Sequence, residues 1–82
     1  MRQLAIIRNV GIGTRDVGRP CLWFDTYVEE GIGALQIIDW DRAAQILQAS
    51  GICDVRDLNG KPCWVDRDGN TMHFAELWKD DL

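Results

Sequence analysis

No run of this 82-residue chain approaches the roughly 20 consecutive apolar residues that a helix needs to cross a bilayer. A helical membrane anchor is therefore not expected, and neither is a membrane partner. The amino terminus, MRQLAIIRNV, sets one basic residue ahead of a short apolar patch, but Arg8 interrupts the patch and no small-residue cleavage site follows. A secretory signal is not expected either. Histidine occurs once, and successive members of the series Cys21, Cys53, Cys63 and His73 are 32, 10 and 10 positions apart. With no C-x-x-C knuckle, that spacing predicts no zinc site and no bound cofactor. Three cysteines cannot all pair within one chain, so the expectation is three reduced, buried thiols in a cytoplasmic protein. A disulfide between two chains would need one of them exposed.

Catalytic groups are equally sparse. His73 falls between Met72 and Phe74 and points away from both, with Cys63 as its one conceivable partner across a hairpin. The carboxylates are many and scattered. With no metal set and no triad, the chain does not read as an enzyme. A phosphate cradle would need converging backbone N–H groups and usually a helix N-terminus or a lysine. The glycine stretch in VEEGIGALQII instead leads into a strand, no lysine follows, and Glu29 and Glu30 stand at its mouth. A second Gly-Ile-Gly at 11–13 lies near Arg15. Both motifs read first as turns.

Charge is divided unevenly along the chain. Residues 1–24 carry a net +3 and residues 25–82 a net −7, giving −4 in all. An acidic chain repels phosphate backbones, so direct nucleic-acid binding is not expected. Eighty-two residues make one domain with a small core, which pushes such chains toward staples or toward a homodimer.

Residues 3–10 are rich in Ile and Val and predict a strand, followed by a glycine-rich turn region at 11–20. CLWFDTYV (21–28) is apolar on both faces and reads as a central strand, paired through EEGIG to a short strand ALQII (34–38). DWDRAAQILQASG is the one helix. Asp39 is its N-cap, Trp40, Ala43, Ala44 and Leu47 form its apolar stripe, and Gly51 with Ile52 closes it in a Schellman turn. DVRDL adds at most one helical turn. PCWVD and TMHFAELW form a final hairpin about RDGN, with Met72, Phe74 and Trp78 on one face and Glu76 breaking the pattern. The expected fold is α+β, in the order β-β-β-α-β-β, with a curled antiparallel sheet packed on one helix. The whole of 1–82 forms a single domain with a frayed tail at 79–82.

The four tryptophans, Tyr27 and Phe24 are more aromatic surface than so small a core holds, and Trp and Tyr are favoured interface anchors. Interaction is therefore the expected activity. The candidate partner-binding residues are Tyr27, Trp23, Glu29 and Glu30 at the hairpin, with Asp39 and Asp41 at the helix start. The four acids are expected to project from one end.

The segments DVG (16–18), FDTY (24–27), EEGIGAL (29–35), QILQASGI (45–52), DLNGK (57–61) and DGNTMHFAELWKD (68–80) follow one another in a pattern that resembles small phage and prophage proteins. By type, the chain is similar to the small acidic anti-CRISPR inhibitors. That resemblance implies a cytoplasmic protein of the infected bacterium. Its partner would be a host defence complex, a CRISPR–Cas effector, kept from target DNA by an acidic surface. Two other readings remain open. One is a sponge for a nucleotide signal, built on Arg15, Arg19 and the glycine loops. The other is a structural or replication accessory protein of a phage.

Overall fold

The computed structural model describes residues 1–14 and 17–78. The expected frayed tail at 79–82 and Arg15 lie outside them. Five strands, β1 (Arg2–Thr14), β2 (Pro20–Glu29), β3 (Ile32–Asp39), β4 (Pro62–Asp68) and β5 (Thr71–Leu77), form one antiparallel sheet in the order β3-β2-β1-β4-β5. The helix α1 (Trp40–Ser50) and one 3-10 turn (Val55–Leu58) connect β3 to β4. This is the expected α+β domain, β-β-β-α-β-β, with the sheet curled about its inner face.

The long first strand makes the curl. Its amino-terminal part pairs with β4 through Arg2 to Ile6, and the part from Ile6 onward pairs with β2. Between Arg8 and Gly11 the register slips, with Asn9 in the left-handed region at φ 57°. Asparagine tolerates that conformation, and such a bulge bends the strand and sharpens its twist. The amide of Val10, displaced from the ladder there, donates to Asn59 Oδ1 at 3.1 Å. The strand continues to Thr14 and does not end at residue 10. Gly11 and Gly13 are sheet residues, so the glycine-rich segment is not a turn along its whole length.

The inner face carries the core: Ile7, Leu22, Phe24, Val65 and Phe74, with Leu58 from the 3-10 turn. Phe24 on β2 meets Phe74 on β5 edge to face, 5.3 Å between centroids at 79°, across the inside of the curl. The helix adds Ala43, which is fully buried, and leans Trp40, Ile46 and Leu47 against the same cluster. Its end is the expected Schellman turn. Gly51 takes φ 68° and donates to Gln48 O, and Ile52 N donates to Leu47 O at 3.0 Å. At its start, Asp39 holds the N-cap position but makes no side-chain cap bond.

In β5 the expected inner face needed correction. Cys63 pairs with Leu77 and Trp64 with Glu76, but Val65 pairs with Phe74, so Ala75 is an extra residue. One inserted residue reverses the side on which everything beyond it points. Leu77 is therefore buried, Trp78 is exposed, and Glu76 does not interrupt the core. It faces out and pairs with Arg2 at 2.8 Å.

The two outer strands, β3 and β5, come together without forming a ladder, and Gln36 closes the gap. Its Nε2 donates to Met72 O at 3.0 Å and its Oε1 accepts from Phe74 N at 3.0 Å. The same Nε2 reaches Thr26 Oγ1, which donates to Ala34 O. Replacing Gln36 by leucine strips partners from two backbone groups in a buried setting, where each lost partner costs about 1–3 kcal/mol. Gln36→Leu should lose about 2–4 kcal/mol in urea titration. A loss below about 0.5 kcal/mol, the scale of a surface change, would show that the seam closes without Gln36.

Candidate functional site

The glycines of both Gly-Ile-Gly motifs have a structural task that their spacing does not reveal. Gly11 is the cross-strand partner of Trp23, and Gly33 of Tyr27. A Cβ at Gly11 would lie 2.6 Å from Trp23 Cε2, one at Gly13 2.5 Å from Cζ3, and one at Gly33 2.5 Å from Tyr27 Cδ1. The indole therefore lies flat over the β1 backbone and the phenol over the β3 backbone, each filling the space a side chain would take. Glycine weakens a strand, and a ring laid across it restores the lost packing. Gly31 alone has a turn's conformation, φ 81°, at the β2–β3 tip. No glycine outside that tip is left to cradle a phosphate in this hairpin.

Trp23 and Tyr27 lie half-buried on the outer face of β2, with Asp25 between them. Asn9 Nδ2 donates to Asp25 Oδ2 at 2.8 Å, and Arg8 is the cross-strand neighbour of Asp25. Beyond them on β3, Leu35 is 60% exposed and Ile37 44%. Helix α1 packs on the inner cluster, so no described element covers this apolar outer face. Ile6, Arg8 and Tyr27 also line an open cleft of about 500 Å³, together with Val28, Glu29 and Glu30.

The candidate residues are not one cluster. Glu29 and Glu30 are exposed at the β2–β3 turn beside Tyr27, while Asp39 and Asp41 are exposed at the far end of β3. Eight residues of strand separate the two pairs by about 23 Å. The expectation that all four project from one end does not hold, because a strand carries its two ends apart. Asp39 and Asp41 instead share a second cleft with Arg19 and Trp40. The ion pairs among the described residues are Arg2–Glu76 and Arg56–Asp54, so none of the four candidate acids belongs to one.

No group of three or more histidine, cysteine or acidic side chains is placed to hold a metal among the described residues, and no helix there is long and apolar enough to cross a membrane. His73 is exposed on the outer face opposite Asp66, while Cys63 is buried on the inner face opposite Leu77. The two cannot pair across the hairpin. Cys21 and Cys63 are buried as expected, but Cys53 is exposed, a correction to the reading of three buried thiols. It follows the helix terminus, where the chain runs over the surface.

Burial pushes the Cys63 thiol from 9.0 up to about 11. The neutral thiol is the form that the fold favours, so the unfolded chain ionises first as pH rises. Stability contributed by Cys63 should be intact below pH 9 and decline between pH 9 and about 11. Cys63→Ala should remove that component of the alkaline fall, read as the difference between the two denaturant–pH profiles. Identical slopes would mean the thiol titrates alike folded and unfolded. A second expectation concerns the rings. Gly13→Ala should cost about 1–3 kcal/mol by overpacking, and much of that cost should vanish when Trp23→Ala is already present. Additive losses would show that the indole does not occupy the space over Gly13.

Compared with known proteins, the chain matches no family model, no curated sequence and no solved structure at a significant level.

Proposed function

We propose that the protein is a non-enzymatic inhibitor that occupies the nucleic-acid groove of a bacterial defence complex, of the CRISPR–Cas kind that the phage-type sequence pattern implies. The observation that carries this reading is the pair of exposed carboxylates at each end of β3, none of the four in an ion pair among the described residues. Such acids on a protein of net charge −4 meet a basic groove favourably and repel the phosphates that the groove normally takes. Because the two pairs stand about 23 Å apart, they would engage separate basic patches rather than a single point. The nucleotide-sponge reading has less to draw on, since rings overlie Gly11, Gly13 and Gly33, and Arg19 already shares its cleft with two acids.

The test is phage plating on bacteria with an active CRISPR–Cas system, with and without the protein, followed by competition between protein and target DNA for the purified complex. Wild type should restore plating and displace DNA. Glu29→Lys with Glu30→Lys should slow association by about tenfold or more at low salt, with the difference shrinking as salt rises. Simultaneous binding of DNA and protein to one complex would overturn the reading. A rise of several degrees in melting temperature with a nucleotide would favour the sponge, because a ligand that binds only the native state stabilises it.

A further inference from the structure

The outer face of β1, β2 and β3 is an apolar surface that no described element of the chain covers. We propose that a second copy of this chain covers it, the two sheets stacking face to face about a two-fold axis along the seam between β1 and β2. This is independent of what the protein inhibits.

The register along that seam is self-complementary. A two-fold axis lying between the stacked faces, parallel to the strands, places each outer residue of β1 over the β2 residue that is its own cross-strand neighbour. Those neighbours are Ile6 with Tyr27 and Arg8 with Asp25. Apolar groups therefore meet apolar groups and cation meets carboxylate, each twice by symmetry. Trp23, whose ring already leans across the seam onto Gly11 and Gly13, comes onto the axis and meets its symmetry mate. An axis at right angles, along the row of Arg8 and Asp25, would instead set like charge on like charge. With the axis along the seam, the strands of the two sheets stay aligned, as aligned sheet packing requires.

Size and composition agree with such a contact. A stable interface takes about 800 Å² from each partner, a patch about 28 Å on a side. The Cα envelope of the whole chain is 33 × 33 × 19 Å, so a contact of that size takes most of one broad side, β4 included. Leu35 and Ile37 extend the apolar surface over β3, and Leu4, 45% exposed, continues it along β1. Apolar groups thus flank the Arg8–Asp25 row on both sides, an apolar surface with a charged centre. Both β2–β3 turns would then point the same way, so that Glu29 and Glu30 appear twice at one end of the dimer.

Sedimentation equilibrium at about 0.1 mM, where even a micromolar contact is populated, should give twice 9.3 kDa for the wild type. Arg8→Glu alone and Asp25→Arg alone each bring like charges together across the axis, and each should sediment as a monomer. Mixed in equal amounts they should form a heterodimer. The carboxylate introduced at position 8 of one chain then faces the guanidinium introduced at position 25 of the other, and the native Asp25 faces the native Arg8. A rearrangement within one chain cannot produce that rescue. A monomeric wild type, variants that stay dimeric, or a mixture that stays monomeric would each overturn the proposal. Should either variant lose its β-sheet circular dichroism, Ile6→Glu sets a carboxylate over Tyr27 of the other copy, and a dimer retained there would overturn the proposal equally.

Discussion

The side-chain amide of Gln36 holds together two strands that the backbone leaves unjoined. The sheet has two free edges, β3 and β5, and an exposed edge is a row of unpaired N–H and C=O groups. Gln36 presents one donor and one acceptor at the spacing of a peptide group, to Met72 O and Phe74 N. It thereby stands in for one residue of missing ladder. Its second N–H goes to Thr26, so the polar group is satisfied although it is nearly fully buried. The join lies where Phe24 and Phe74 meet across the inside of the curl, so the amide bonds and the ring contact close the same seam. Arg42 reinforces the seam from the helix, donating to Ala75 O at 3.4 Å and lying over the Phe74 ring.

Curling the sheet inward commits its other face to the outside, and that face carries Trp23, Tyr27, Leu35 and Ile37 beside Arg8 and Asp25. Here the glycines and aromatics act together. Gly11 and Gly13 let the indole of Trp23 lie against the strand, and Gly33 does the same for Tyr27. The rings are pinned flat in the free chain, so little side-chain entropy remains to be lost when something covers them. On this face Asp25 accepts from Asn9 and has Arg8 as its cross-strand neighbour, and Arg2 pairs with Glu76. The four candidate acids lie apart from it, at the two ends of β3. The outer face with its rings and the acids at the ends of β3 are thus separate, and the proposed dimer and the proposed inhibitory contact use different parts of the molecule.

Much of this was legible in residue order. The helix and its C-terminal end follow from the stripe Trp40, Ala43, Ala44 and Leu47 with Gly51 and Ile52, although Ile46 rather than Ala44 joins the core cluster, because 3.6-residue periodicity and a left-handed cap are local properties. The alternation of Leu22, Phe24 and Thr26 with Trp23, Asp25 and Tyr27 correctly gave a central strand with two apolar faces. Strand count, strand order in sequence and the half-exposed tryptophans depend on composition and turn residues, which the chain carries openly.

What the sequence could not decide depends on which residues meet across strands. Glycines at 11 and 13 look like a turn until the ring that occupies their space is known, and that ring lies ten or more positions away. The bulge at Ala75 leaves no local mark, yet it alone decides that Leu77 is buried and Glu76 is not. Nothing in the run ALQII singles out its glutamine, and only the approach of β5 makes it the closing bond. The four acids look like one cluster because they are near in sequence, but an extended strand carries its ends about 23 Å apart. Local propensity and periodicity were therefore fixed by residue order alone. Register, bulges and the joining of sheet edges came from long-range contacts, whose energies exist only once the strands have met.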